Sequence, residues 1–380
     1  MIVGGGAAGL MCAATLQMSG KHIKTALIEK NSLLGRKLAA TGNGRCNLSN
    51  IACPNYKKTL TAFDKLGVLT RSENGRIYPY SEEAKVVVDA LTDRLTDIDI
   101  FLESTVESIE QIFEAEGTFD DSFGSDAGFL IRYRKNGREM RIETRFLILA
   151  TGGKAAPQFG STGDGYKFVR GLGHSVSRLY PILSPVECEE DFIELKGARA
   201  DGVVRLYSNG NNIFEERGCI QFTDFGLSGI CIFNLTRHLK PNIKNGVLDF
   251  SDYDIALDLA PEMDYDNLKN ILSSPVNPLK SIVGSVLAKY ITRIYSSDMA
   301  AGVKSLKFKP SGIRGWKSAQ VTGGGVPPDE LDGNMESRKV KGLYILGEIL
   351  DYDGPCGGFN LDNAWQTALL ASEDIIDKVD

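Results

Sequence analysis

The chain has 380 residues, 42% of them hydrophobic and 24% charged, with a formal net charge of −6. That length calls for two or three domains rather than one core. The composition excludes a disordered or fibrous chain, and the acidic balance weighs against a nucleic-acid partner, which favours a basic face.

The chain opens on Met1-Ile2-Val3-Gly4-Gly5-Gly6-Ala7-Ala8-Gly9-Leu10, an apolar strand, a glycine turn and a small-residue helix. Gly4, Gly6 and Gly9 fit G-x-G-x-x-G, and Glu29 stands 20 residues after Gly9. In that pattern the first glycine permits the tight turn, the second admits a pyrophosphate and the third lets helix pack on strand. The helix start faces the phosphates, and the acid bonds a ribose hydroxyl. Residues 1–20 carry no charge, yet a signal peptide needs a basic start and a spanning helix tolerates three consecutive glycines badly. A cytoplasmic location and no membrane partner are expected.

Residues 10–20 are predicted as the first helix and His22–Glu29 as the second strand. A glycine-rich loop covers 31–56, and helices are predicted over 57–70 and 82–97. Gln111–Phe113, Gly128–Tyr133 and Glu139–Glu143 suit a small antiparallel layer, with an acidic loop over Glu114–Asp126. Arg145–Ala150 is a continuous apolar run, as a strand buried on both faces requires. Tyr166–Leu172 is predicted helical. From Pro185 the character changes to short strands with turns, including Gly202–Tyr207 and Asn212–Phe214. Residues 254–300 read mostly helical. Ala319–Gly323 and Gly342–Leu346 look like buried strands, and Asn360–Lys378 like a final helix.

The expected fold is α/β. A discontinuous Rossmann-like nucleotide-binding domain over 1–184 and 318–380 is interrupted by an insertion over 185–317. The insertion is read as β-rich over 185–250 and 301–317 and helical over 251–300.

Seven cysteines with no C-x-x-C pair favour reduced thiols over a disulfide framework, and three histidines make a metal or Ser-His-Asp site a poor expectation. Beyond the first motif, Arg36-Lys37 and the loop Thr41-Gly42-Asn43-Gly44-Arg45-Cys46-Asn47 can pass backbone close to a phosphorylated or flat ligand. Thr151-Gly152-Gly153 closes a buried strand at the sheet edge where ligands bind. Asp164, in Gly160–Tyr166, suits a helix cap. Gly347-Glu348 ends another apolar strand, and Gly357-Gly358-Phe359-Asn360-Leu361 opens the last helix. Each of these has a plainer reading as turn, cap or surface loop.

Several long motifs occur in order: GGGAAGL at 4–10, GRKLAATGNGRCNLSN at 35–50, LATGG at 149–153, GSTGDGY at 160–166, LGH at 172–174, FTDFGLSG at 222–229, VTGGGV at 321–326 and GEILDYDGPCGGFNLDNAW at 347–365. Together they resemble the HI0933-like bacterial flavoproteins that include YhiN and the bile-acid-associated BaiN reductases, distant relatives of succinate dehydrogenase and fumarate reductase flavoproteins. One departure is the short apolar stretch Met1–Val3 before the glycines, where the family usually carries a few more residues.

The resemblance implies an FAD-dependent oxidoreductase. It implies that Gly4, Gly6, Ala7, Ala8 and Gly9 hold the pyrophosphate, that Glu29 takes the adenosine ribose, and that Lys30 and Val106 also bind the cofactor. Arg36, Lys37 and Gly42 to Asn47 would flank the cofactor, as would Thr151, Gly152, Gly153 and Asp164. Gly347 and Glu348 would meet the ribityl chain; Gly358, Asn360 and Leu361 would meet the pyrimidine edge. One fingerprint only implies tightly held FAD, with NAD(P)H as a transient donor and a small enone-like or ring molecule as substrate. Arg45, Tyr166 and Tyr352 are the candidate proton donors. His174 is read as structural, Cys46 as a buried thiol, and Trp316 and Trp365 as core or cofactor-packing residues. Phe222–Gly229 is read either as a loop facing the cofactor or as a plain turn. The rival functional readings are a flavin-binding redox sensor or interaction protein without turnover and a flavin enzyme acting on RNA, the latter disfavoured by the acidic balance and the lack of a basic-aromatic patch.

Overall fold

A computed structural model describes residues 1–112, 128–244 and 247–379, so the acidic stretch Glu114–Asp126 and Phe113 lie outside the described residues. The chain divides into two compact units, Met1–Tyr180 with Val321–Asp380, and Pro181–Gln320.

The first unit is built on a five-stranded sheet. Its strands are β1 (Ile2–Val3), β2 (Thr25–Ile28), β3 (Ile98–Phe101), β4 (Leu147–Leu149) and β5 (Leu343–Ile345), in the order β5-β4-β1-β2-β3. Every pairing is parallel. Two residues suffice for β1 because it is paired on both sides, Ile2 opposite Ile148 and Leu27. Strands β1, β4 and β5 are buried throughout, which accounts for their unbroken apolar sequence.

Helix α1 (Ala7–Met18) follows β1, and its buried positions run unbroken from Ala8 to Ala14. A helix apolar nearly all round must be covered on more than one side. The last helix, α2 (Phe359–Lys378), shares its core: Leu10, Met11, Ala13 and Ala14 cluster with Trp365, Ala368, Leu369 and Ala371. The Ser372 hydroxyl reaches the Cys12 carbonyl at 3.4 Å, a contact that only small residues on both helices allow. Trp365 donates from its indole to the Leu48 carbonyl at 2.9 Å and meets Phe63 edge-on, so it is a core residue. The ends of β1, β2, β4 and β5 lead directly into Gly4, Glu29, Thr151 and Gly347, so these motifs share the carboxyl edge of one sheet.

Several local expectations need correction. The second strand begins at Thr25, not His22. The helices are shorter, Tyr56–Lys65 and Ala84–Thr92. Between them lies a hairpin of Thr70–Glu73 with Arg76–Pro79, and after them comes the edge strand β3. Both were hidden by polar residues: Thr-Arg-Ser-Glu on an exposed strand carries no apolar alternation, and Asp99 interrupts the other. The antiparallel layer is Ser104–Ile112, Gly128–Lys135 and Arg138–Thr144, longer than its apolar pieces suggested. Of the expected strand Ala319–Gly323, only Val321–Gly323 is extended, and it stands outside the parallel sheet.

The second unit carries a seven-stranded antiparallel sheet. Its long hairpin pairs Arg199–Ser208 with Asn211–Phe222. Phe192, Phe222 and Phe308 meet in its core. The stretch read as helical opens instead on the strand Tyr253–Asp258, and the stretch read as β-rich from 301 begins with the end of the helix Met299–Lys304 before its strands Leu306–Phe308 and Pro310–Ile313. Helix Ile230–Thr236 likewise interrupts the β-rich part. Phe222–Gly229 is a turn into the strand Gly226–Ser228: Thr223 closes on the Gly226 carbonyl, and Asp224 is exposed and paired with Lys196. Trp316 is half-buried in this unit.

Candidate active site

The three fingerprint glycines are held in different ways. Gly4 has φ +108°, and a side chain there would stand 2.4 Å from the Ala150 carbonyl oxygen. A methyl on Gly9 would stand 1.9 Å from the Gly4 carbonyl oxygen. These two positions need glycine for the protein's own packing. Gly6 differs: a methyl there meets nothing within 4 Å. It stands at the start of α1, which has no side-chain cap and no acid in its first turn. The helix therefore opens on free amides beside empty space, the form of a phosphate site.

Glu29 is buried at the end of β2. Its Oε2 accepts from the Gly5 amide at 2.8 Å; its Oε1 accepts from the Asn31 amide at 2.8 Å and the Asn31 side chain at 2.6 Å. A carboxylate has about four acceptor positions, so one is left for a further donor. Lys30 pairs with Asp164 at 2.7 Å and also donates to Thr162. Asp164 consequently makes no helix cap, contrary to that expectation. Arg36 is turned to Asn31 and the Gln158 carbonyl. Val106 is half-buried in the strand Ser104–Ile112, whose first amide, that of Ser104, donates to the Glu29 carbonyl at 3.0 Å.

The glycine loop after Lys37 is tightly wound. Gly42, Asn43, Gly44 and Cys46 all have left-handed backbone, with φ of 56°, 55°, 87° and 54°. Two of these are not glycine, so the surroundings must hold the loop. Arg45 does part of this. It lies over the Tyr78 ring and pairs with Glu73 at 2.7 Å and with Glu82. Cys46 is fully buried, and burial pushes its thiol up to about 12, which removes it as a reactive thiolate.

At the end of β5, Gly347 brings the two ends of the chain together: a methyl there would stand 3.0 Å from the Ala8 Cβ in the first turn of α1. The next residue, Glu348, is held much as Glu29 is. Its Oε2 accepts from Lys37 at 2.6 Å, and its Oε1 accepts from the Thr322 amide at 3.0 Å and the Thr322 hydroxyl at 3.1 Å. Again three donors are used and one position is left. Gly152 has φ +70°, and the neighbouring Thr151 hydroxyl is buried with no hydrogen-bond partner among the described residues. The Asn47 side-chain oxygen is orphaned in the same way, and it lies 2.8 Å from where a Gly358 side chain would begin.

Gly358 begins α2 with φ +101° and no side-chain cap. The Asn360 side chain closes on its own loop through the Gly354 amide and carbonyl, at 2.9 and 2.8 Å. Leu361 is half-buried against the core of the first unit.

The candidate proton donors fall in three settings. Tyr166 is buried and directed at the Glu348 carbonyl at 3.4 Å; burial, then Glu348 and Asp351, hold its hydroxyl well above the usual range. Arg45 is committed to ion pairs. Tyr352 is 37% exposed on the loop between Glu348 and Gly358. His174 lies away from these groups in chemistry as well as role. Its two ring nitrogens meet Glu330 at 2.7 Å and Ser337 at 2.8 Å, and that serine oxygen already accepts two backbone amides.

The sequence profile of the HI0933-like protein Rossmann domain matches residues 55–374, and that of an NAD(P)-binding Rossmann-like domain matches residues 2–46. The chain belongs to the HI0933-like family. A 3-dehydro-bile acid delta(4,6)-reductase of Clostridium scindens is 30% identical over 97% of this chain and 97% of its own length. A ribosomal RNA dihydrouridine synthase of Escherichia coli is 28% identical over 99% of this chain and 97% of its own length. The open conformation of a flavocytochrome c3 fumarate reductase superposes with a TM-score of 0.50 at 15% identity, covering 99% of this chain and 77% of that one. That likeness is one of fold.

This HI0933-like protein is an FAD-dependent oxidoreductase. The residues present fit that cofactor. The open space at Gly6 beside uncapped amides suits a pyrophosphate. Two acids with one acceptor position each suit ribose and ribityl hydroxyls, which are donors. The orphaned Asn47 and Thr151 oxygens await polar partners. Thr322 was missed from the sequence. It is 168 residues from the Lys154 amide it binds, and only its V-T-G-G-G-V motif marked the stretch at all. No helix among the described residues is long and apolar enough to cross a membrane.

Proposed function

We propose that this enzyme reduces a carbon–carbon double bond conjugated to a carbonyl in a ring substrate, with NAD(P)H as the transient electron donor. One observation carries the reading: two relatives matched over nearly their whole length bear names that denote such a reduction. A 3-dehydro bile acid with delta(4,6) unsaturation is a conjugated ketone. Dihydrouridine arises when a ring double bond next to a carbonyl is saturated. The reaction class is shared although the molecules differ.

In this reading the start of α1 with Gly4, Gly6, Ala7, Ala8 and Gly9 holds the pyrophosphate. Glu29 takes a ribose hydroxyl, with Lys30 and Val106 beside the adenosine. Arg36 and Lys37 supply positive charge, and Thr151, Gly152, Gly153 and Gly347 give close backbone approach. Glu348 takes a ribityl hydroxyl. The loop from Gly42 to Asn47 and the start of α2 at Gly358, Asn360 and Leu361 frame the flavin ring. When bound, FAD supplies the hydride chemistry. The uncapped start of α2 favours negative charge at its end. Tyr352 is the proposed proton donor to the substrate carbon, because Tyr166 is buried and Arg45 is spent in ion pairs.

A small ring molecule is the first substrate reading, in keeping with the net charge of −6. Uridine in RNA is the second, supported by the Escherichia coli and Haemophilus influenzae relatives named for it. Anaerobic stopped-flow tests both. NADH or NADPH should bleach the flavin, and a cyclic enone or a uridine-containing RNA should restore it. A flavin that neither nucleotide reduces sinks the donor reading and favours a redox sensor.

A further inference from the structure

The stretch Val321-Thr322-Gly323-Gly324-Gly325-Val326 has so far no role beyond its place in the fold. Thr322 is fully buried. Its hydroxyl oxygen accepts from the Lys154 amide at 2.7 Å and the Ala155 amide at 2.9 Å, and its proton goes to Glu348 Oε1 at 3.1 Å. A hydroxyl has one proton and two acceptor positions, so all three are used. With the Thr322 amide added, two of the three donors on Glu348 come from this one residue; Lys37 gives the third.

The same contact explains Gly153. That glycine is not in the left-handed region, so no backbone strain demands it. A methyl there would stand 2.3 Å from the Thr322 hydroxyl oxygen and 3.0 Å from Glu348 Oε1. Gly153 is small because the hydroxyl stands where its side chain would be. Two distant motifs, Thr151-Gly152-Gly153 and Val321–Val326, are thus joined at the acid after β5.

We propose that Thr322 is a positioning residue. It fixes the Glu348 carboxylate so that the one remaining acceptor position meets a cofactor hydroxyl. The proposal rests on the reading that Glu348 contacts FAD. Thr322 itself is assigned no contact with the cofactor; it acts through Glu348.

The test measures FAD affinity of the full chain by flavin fluorescence, with FAD as the probe. Thr322→Val should raise the dissociation constant about tenfold, and Thr322→Ser, which keeps the hydroxyl, should stay within about threefold of the parent. In a Glu348→Gln background the Thr322→Val change should add less than about threefold, since the residue acts through that acid. A merely structural role would instead give penalties that multiply. That result, or a Thr322→Val protein that binds FAD normally while Glu348→Gln does not, overturns the proposal. If Glu348→Gln binds FAD normally, the underlying reading of Glu348 fails, and the proposal falls with it for that separate reason. Should Thr322→Val fail to fold, Gly153→Ala displaces the same hydroxyl from the other side. It should show the same loss, absorbed in the same way by Glu348→Gln; a loss that persists undiminished there counts against the proposal.

Discussion

Replacing Gly6 and Gly9 in turn by alanine separates binding from folding within one motif. At Gly9 the new methyl meets the Gly4 carbonyl oxygen at 1.9 Å, so helix and strand must part by about 1 Å. Overpacking of this kind costs roughly 1–3 kcal/mol. In a domain of this size that lowers the melting temperature by about 2–4 °C per kcal/mol, or roughly 2–12 °C in all. At Gly6 the methyl meets no protein atom within 4 Å, and the backbone, φ −87° and ψ −166°, is open to alanine. A small loss as helix cap is offset by reduced freedom of the unfolded chain, for a net change within about 1 kcal/mol. The same methyl occupies the space argued for the pyrophosphate. If displacing it costs about 1.5–3 kcal/mol, FAD binds roughly tenfold to more than a hundredfold more weakly. Melting curves of FAD-depleted protein and FAD titrations read both effects. Gly6→Ala with unchanged FAD affinity would refute the pyrophosphate assignment. Gly9→Ala with unchanged melting would refute the packing argument.

Tyr166→Phe should leave flavin reoxidation by the substrate within about threefold, whereas Tyr352→Phe should slow it by about a hundredfold, as loss of a general acid does. Rapid-reaction traces over a pH series distinguish the two. Burial alone would raise the Glu330 carboxyl, but hydrogen bonds from Lys339, Ser175 and His174 outweigh it and hold the group down at about 2, below its ordinary 4.5. A folded-state value below the unfolded one gives stability that is present above about pH 4.5 and lost as pH falls toward 2. Burial lowers His174 in the same sense, so its protonation also favours unfolding. Denaturant melts should therefore show an acid limb that flattens in Glu330→Gln. Because the Cys46 thiol is buried and protonated, acid precipitation should release all FAD to the supernatant; flavin retained in the pellet would reveal a covalent link.

The nucleotide-binding core was legible because its glycines have steric reasons. Gly4 needs a positive φ and Gly9 has no room for a methyl, so the spacing of the motif is itself a packing constraint. The buried strands β4 and β5 were legible from their unbroken apolar runs. Elements carried by polar or interrupted sequence were not. The hairpin Thr70–Glu73 with Arg76–Pro79 is mostly exposed on its first strand, and β3 has Asp99 in its middle. The strand Tyr253–Asp258 escaped because Asp254 and Asp258 flank and mask its three buried apolar residues, Ile255, Ala256 and Leu257. Among the candidate site residues, Glu29 and Glu348 stood out because each follows an apolar strand. Thr322 could not, because its partners Lys154 and Ala155 are far away in the chain and a lone threonine has no pattern. The His174, Glu330 and Ser337 cluster is of the same kind, with contacts spanning 156 and 163 residues.

The central claim, reduction of a conjugated double bond at this FAD site, is tested most directly by a single turnover. Holoprotein whose flavin has been reduced photochemically is mixed anaerobically with a cyclic enone, and separately with a uridine-containing RNA, and the products are counted by mass spectrometry. The expected result is reoxidised flavin and one saturated product per flavin with one of the two. Flavin that stays reduced while both acceptors remain unsaturated would contradict the claim.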